Sequence, residues 1–271
     1  MAELPQKHRV SVSGVLKILG VSRSGYRAWK QRVPSVSEKH RDHIKDAIKQ
    51  IYDGSHQNYG APKITEMLHR QGESIAEKTV GNYMRQMGIK AQWVKPYTVT
   101  TIDSDFSSEL QNILDEQFNP SRPDAVWVSD ITYIWTYNGF VYLTSIMDLY
   151  SRKIIAWVLS QSLEVFHSDR GIQFVSQAFQ KVTEGMINSY SKKAYPWDNA
   201  CIESFHSLLK REWLNRFKIF DYKHAYRLVF EYIETFYNTV RIHSHCGYLS
   251  PDEYEKQYRN KLLELEQKLA G

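Results

Sequence analysis

Three acidic residues stand where a carboxylate invites chemistry. The stretch Val126-Trp127-Val128-Ser129-Asp130-Ile131-Thr132-Tyr133-Ile134-Trp135 is rich in β-branched and aromatic residues, the composition of a sheet strand, and Asp130 sits in its middle. A lone carboxylate is costly to bury. Unless a side chain pairs with it, it should hold something positive, and a metal ion is the best candidate. Phe166-His167-Ser168-Asp169-Arg170-Gly171 and Trp197-Asp198-Asn199-Ala200-Cys201-Ile202-Glu203-Ser204-Phe205 each supply another acid. Asp130, Asp169 and Glu203, converging at one end of a sheet, can hold two hard divalent cations through oxygen. Two such ions, about 3.5–4 Å apart, stabilise the attacking and leaving oxygens of an in-line phosphodiester displacement. On a helix, Glu203, Ser207 and Lys210 fall at i, i+4 and i+7, one face, so Lys210 lies beside the metal site where a DNA-end phosphate could meet it. Each acid also has a plain structural reading: Asp130 a strand-end turn residue, Asp169 a helix cap, Glu203 a surface ion-pair partner. Taken singly, none of the three decides between the two readings. His167 and His206 read as neighbours of the acids rather than ligands, because hard cations prefer oxygen. Asp148 could be a fourth acid, but a turn between strands is its better-supported role.

The elements that must position these residues can be read in order. Tyr137-Asn138-Gly139 signals a hairpin between the Asp130 strand and a second strand from Phe140 to Met147. Asp148-Leu149-Tyr150-Ser151-Arg152 turns the chain into a third, Lys153 to Leu159. Val165 to Ser168 begins a fourth, followed by a helix near Gln177 to Thr183 and a strand near Met186 to Tyr190. Trp197 to Phe217 reads as one helix, with Asp198 as a candidate N-cap. Lys223 to Tyr237 is amphipathic, its Phe230, Tyr232, Phe236 and Tyr237 forming a core stripe. The tail after Pro251 is helical and heavily charged.

The first third is different. Residues 1–99 carry 17 Lys and Arg against 8 Asp and Glu, whereas the rest carries 18 against 22. A basic segment of this kind is the electrostatic footprint of nucleic-acid binding, although a solvated basic face gives the same count. Val10 to Arg32 has the rhythm of a helix-turn-helix: Val15, Leu16 and Leu19 form a stripe, Gly20 breaks it, and Ser22 can cap a helix holding Tyr26 and Trp29. Arg23, Arg27 and Lys30 would then reach phosphates or bases. A helix from about Glu38 to Tyr52 follows the Pro34 linker. Tyr59-Gly60-Ala61-Pro62-Lys63 starts another with proline in its first turn. Gly72 ends it, and a last helix around Thr79 to Met84 closes at Gly88, with Lys78, Asn82 and Arg85 facing outward. The expected division is 1–35 helix-turn-helix, 38–95 a second helical DNA-binding unit, 96–120 a linker with one helix near Ser107 to Gln117, and 121–271 a core with C-terminal helices.

Composition narrows the classes. The 271 residues suffice for two domains and a real core. No apolar run is long enough for a bilayer, and the charged N-terminus lacks the apolar segment of a signal peptide, which points to the cytoplasm. Cys201 and Cys246 read as reduced thiols and give no zinc spacing.

In combination the motifs say more. Trp127-Val128-Ser129-Asp130-Ile131-Thr132-Tyr133, Asp148-Leu149-Tyr150-Ser151-Arg152, His167-Ser168-Asp169-Arg170-Gly171, Asp198-Asn199-Ala200 with Glu203-Ser204-Phe205, and Tyr248-Leu249-Ser250-Pro251 closely resemble, in order, the second-reading-frame (OrfB-type) transposase of a large bacterial insertion-sequence family. Its catalytic core is similar to retroviral integrase. The resemblance implies an α/β, ribonuclease-H-like fold with a mixed five-stranded sheet of order 3-2-1-4-5, preceded by an all-α helix-turn-helix region. It also implies a metal-binding triad of Asp130, Asp169 and Glu203, with Lys210 near the DNA end, and two Mg2+ ions or their Mn2+ equivalents. The expected reaction nicks double-stranded DNA at the element's ends, and the freed 3′-hydroxyl then attacks target DNA. A homo-oligomer on paired ends, a first-frame partner protein, a nucleoid-associated cytoplasmic location and no membrane partner complete the expectation.

The spacing departs from that pattern. Asp130 and Asp169 are separated by 38 residues, and Asp169 and Glu203 by 33. The family places roughly twenty more in the first gap, as the crossover helix that joins strands three and four. Residues 160–164 span at most ~18 Å, whereas passing two strands and returning one strand length needs about 22 Å. The strands must fray or the fourth must pair elsewhere, and one sheet face should be left exposing apolar surface. Two outcomes therefore stand open: an active transposase, or a DNA-binding remnant that cannot assemble its triad. A free-standing nuclease of the same fold is a third.

Overall fold

The computed structural model describes residues 11–92, 118–161 and 200–270. Its contacts divide the chain into two units, Met1–Lys49 and Gln50–Gly271.

In the first unit, α1 (Val12–Ile18) and α2 (Arg23–Lys30) flank a turn at Gly20, whose φ of 65° only glycine adopts without strain. Ser22 caps α2 by accepting the Gly25 N–H at 3.0 Å. This pair has little core: Leu16 is buried, no residue of α2 is, and Ile18, Leu19, Trp29 and Val33 are exposed. The next helix, α3 (Val36–Gly54), crosses the division between the units. It opens on a reciprocal cap, in which Ser35 N–H donates to Glu38 Oε2 and Glu38 N–H to Ser35 Oγ.

The second unit contains α4 (Ala61–Arg70), with Pro62 in its first turn, and α5 (Glu77–Gln86); Gly72 and Gly88, both at positive φ, close them. Ile64, Leu68, Val80 and Met84 are their buried apolar residues. Three antiparallel strands follow, in the order β1-β2-β3: β1 (Trp127–Thr136), β2 (Gly139–Asp148) and β3 (Ile154–Ser160). The hairpin forms at the expected residues, but the positive φ falls on Gly139 (109°) and not on Asn138. The turn is thus not the two-residue type in which both central residues are left-handed. Three strands are found among the described residues where five were expected. The expected fourth and fifth strands and the helices near 107–117 and 177–183 lie outside those residues.

Period-two alternation gives the sheet two unlike faces. Val128, Thr132, Ile134 and Thr136 of β1, with Val141, Leu143, Ser145 and Met147 of β2, are buried. On the other face Trp127, Tyr133, Trp135, Phe140 and Val158 are 43–62 % exposed. Against the sheet pack α6 (Ala200–Glu212) and α7 (Tyr222–Phe230). The single helix expected from Trp197 to Phe217 ends at Glu212. Trp213 leaves helical geometry (φ −135°) and buries between the rings of His56 and Phe236, and a 3-10 turn, Leu214–Arg216, follows. Past α7 the helix widens into a π segment, Glu231–Tyr237. Tyr232, Phe236 and Tyr237 are buried there, as the aromatic stripe required, while Phe230 stays half exposed. The last helix, α8 (Pro251–Ala270), begins with a second reciprocal cap between Ser250 and Glu253.

Candidate active site

Asp130 lies at the middle of β1, opposite Ser145 of β2, on the face covered by α6. Its neighbours along that face are apolar or hydroxylic, and its carboxylate is 21 % exposed. Helix α6 brings two nitrogen-bearing side chains to it. His206, 6 % exposed, has Nδ1 3.3 Å from Asp130 Oδ2, while its Nε2 is 2.7 Å from the hydroxyl of the fully buried Ser145. One turn on, the Lys210 ammonium lies over the Tyr133 ring, 4.5 Å from its centroid. Burial lowers the lysine's pKa and the Asp130 charge opposes that shift, so lysine and carboxylate feel each other. The sequence suggested His206 as a neighbour of the acids. Its bond to Ser145 spans 61 residues and leaves no local signal in the sequence.

Glu203 projects from the first turn of α6 and is exposed, one turn before His206. Asp169 lies outside the described residues. Among the described residues no three His, Cys, Asp or Glu side chains converge as a metal cluster. The donor chemistry nonetheless suits a hard cation: Asp130 is a partly exposed carboxylate on a strand, and Glu203 is an exposed carboxylate on the helix packed against that sheet. Arg23, Arg27 and Lys30 are exposed on α2, and Lys78 and Arg85 on α5, where Arg85 donates to Asn82 at 2.9 Å.

Several of the other signature residues build the frame instead. Asp148 is completely buried and accepts the N–H groups of Asp124 and Tyr150, each at 2.7 Å; it is the turn residue, not a fourth site acid. Burial pushes its carboxyl pKa up. In the same turn Ser151 donates to Glu255 at 2.8 Å, Tyr237 donates to the Arg152 carbonyl, and Tyr150 stacks on Tyr254. The Tyr59 hydroxyl donates to the Val240 carbonyl and accepts the Ile242 N–H at 2.9 Å, tying the start of α4 to the loop before α8. Beneath that loop Arg241 grips Glu212 with two bonds of 2.7 Å, and Tyr232 donates to the same carboxylate.

An N-terminal helical region ahead of a sheet whose central aspartate faces a helix bearing glutamate and lysine defines a helix-turn-helix plus integrase-core protein. Residues 39–97 match an HTH-like domain, and residues 120–165 and 184–251 match the integrase core domain. The chain is 31 % identical to the transposase InsF for insertion sequence IS3A of Escherichia coli strain K12, over 93 % of this chain and 97 % of that protein. It is 33 % identical to the transposase for insertion sequence element IS904 of Lactococcus lactis subsp. lactis strain IL1403, over 83 % and 98 % respectively. It therefore belongs to the IS3-type insertion-sequence transposase family, of the second-reading-frame kind. Integrase cores depend in general on divalent metal, and the HTH-like domain supports DNA as the partner. No helix among the described residues is long and apolar enough to cross a membrane.

Proposed function

We propose that this transposase cleaves double-stranded DNA at the ends of its insertion sequence and joins the freed 3′-hydroxyl to target DNA. The observation that carries the reading is the meeting of Asp130 with α6, where His206 Nδ1 stands 3.3 Å from the strand carboxylate and the Lys210 ammonium feels its charge. Asp130, Asp169 and Glu203 are the proposed holders of two Mg2+ ions, which when bound activate the attacking oxygen and stabilise the leaving one. Lys210 supplies a cation for a phosphate of the DNA end, and an incoming phosphate would favour its charged form against burial. With only 21 % of its side chain exposed, Asp130 feels neighbouring charges more strongly than it would in water. The finer architecture we propose is the ribonuclease-H-like five-stranded sheet within residues 121–271, after helical DNA-binding units at 1–35 and 38–95. A multimer on paired ends, a first-frame partner and a nucleoid-associated cytoplasmic setting belong to the same reading.

The test is a cleavage and strand-transfer assay with labelled element ends and Mg2+. Wild-type protein should give products, and Asp130→Asn should reduce them at least a hundredfold while end binding persists. Retained binding with no wild-type product would mean a remnant whose shortened link prevents assembly. Cleavage without end preference, unaffected by loss of residues 1–95, would mean a nuclease.

A further inference from the structure

His206 is better placed than a chance neighbour, and we propose that it is the positioning residue for the Asp130 carboxylate. This rests on the metal-site reading above and deepens it. An ionised carboxylate only accepts, so the ring nitrogen facing it serves it best as an N–H donor. In the neutral imidazole, Nδ1–H toward Asp130 leaves Nε2 a bare acceptor, and Ser145 Oγ, 2.7 Å away, is the hydroxyl that fills it. One tautomer thus suits all three groups: Ser145 O–H donates to Nε2, and Nδ1–H faces Asp130 Oδ2 at 3.3 Å. Ser145 is fully buried on β2, directly across from Asp130 in the strand register, so the relay is anchored to the same pair of strands that carries the acid. The ring is buried at 6 % exposure and packs beside Phe205, which limits its rotamers. His206, its Nδ1 3.3 Å from Oδ2, therefore restrains the rotation of the carboxylate about its own axis from one side and leaves the remaining oxygen positions for a cation. Partners of this kind behind a liganding carboxylate typically change metal affinity by 10- to 100-fold when removed.

Two substitutions separate positioning from simple packing. Asparagine places its amide nitrogen where Nδ1 stood, and glutamine places its own where Nε2 stood. Mn2+ binding to the full-length protein, read by electron paramagnetic resonance of the free ion, should be weakened about 10-fold or more in His206→Gln and stay within about threefold of wild type in His206→Asn. Mg2+ half-saturation of end cleavage should follow the same order, and thermal unfolding should not. If His206→Gln fails to fold, Ser145→Ala keeps the ring and removes only its hydroxyl partner; it should weaken Mn2+ binding several-fold. Equal Mn2+ affinity in the Asn and Gln variants, or unchanged affinity in Ser145→Ala, overturns the positioning role. Asp130→Asn serves as the control: if Mn2+ binding ignores it, the metal-site reading falls and this inference with it.

Discussion

Two buried side chains with opposite electrostatic fates govern the interior beside the site. Glu212 and Arg241 lie 12 % and 7 % exposed and share two 2.7 Å bonds. Burial pushes the Glu212 carboxyl up, but the bonds and charge of Arg241 outweigh it, and its pKa ends below the ordinary value. A depressed carboxylate contributes stability above its unfolded value of about 4.3, lost as pH falls through the folded one. Breaking the pair leaves a buried charge, so Arg241→Met or Glu212→Gln should cost about 3–5 kcal/mol in urea unfolding; a cost below about 1 kcal/mol would refute the account. Lys63 is the reverse case. Burial, aided by the Arg241 charge, lowers its pKa to about 7. The unfolded lysine keeps its proton to about pH 10.4. Between those values the unfolded state binds more protons, so stability rises with pH at up to about 1.4 kcal/mol per unit from this group. Unfolding of wild type and Lys63→Met at pH 6, 7, 8 and 9 should show the variant's relative advantage shrinking steadily above pH 7. A pH-independent difference would show that Lys63 stays charged.

At the scale of elements, the fold was legible where the signal is local. β-branched and aromatic composition with the Tyr137-Asn138-Gly139 hairpin signal gave β1 and β2 within one residue at each end, Gly20, Gly72 and Gly88 gave three helix ends, and Pro62 gave a start. The caps of α3 and α8 are also written in the chain, as the serine-to-glutamate spacing of Ser35 with Glu38 and Ser250 with Glu253. What no local pattern carries is pairing at a distance. Tyr59 reaches Val240 and Ile242, and Asn238 pairs its amide with the backbone N–H and carbonyl of Ile154 as an extra strand residue would. The break at Trp213 has the same origin, because a packing site for its indole against His56 and Phe236 overrode helical continuity. At the site, the acids were legible through motif, whereas Ser145 behind His206 was not, since a strand serine is unremarkable until a ring from another element meets it. Tyr59→Phe tests how far α4 depends on such a tie. It leaves the buried Ile242 N–H without an acceptor and should cost about 1–3 kcal/mol, with faster proteolysis around residues 60–70. An unchanged unfolding midpoint would show that the loop finds another partner.

Across the whole chain the charge is divided, and the division makes its own prediction. The basic excess lies in residues 1–99, ahead of a core that is slightly acidic, so affinity for duplex DNA should reside mainly in the helical region. Within it α2 offers Arg23, Arg27 and Lys30 on an exposed helix with no buried residue, a surface that packing within its own unit does not use. A solvated basic face and a groove-reading helix differ in salt response. Each phosphate contact releases a counterion and contributes about 0.9 to the slope of log K against log salt. If α2 lies on the duplex, replacing all three by alanine should lower that slope by up to ~2.7 and weaken end and random DNA together where the contacts are to phosphate. Loss of preference for the element's end would instead locate base contacts among the three. Lys78 and Arg85 on α5 supply the internal comparison: a matching pair of alanines reports whether the second helical unit shares the load. A slope unchanged by the α2 triple variant across 50–200 mM salt would make that helix a bystander and leave DNA binding to residues 38–95.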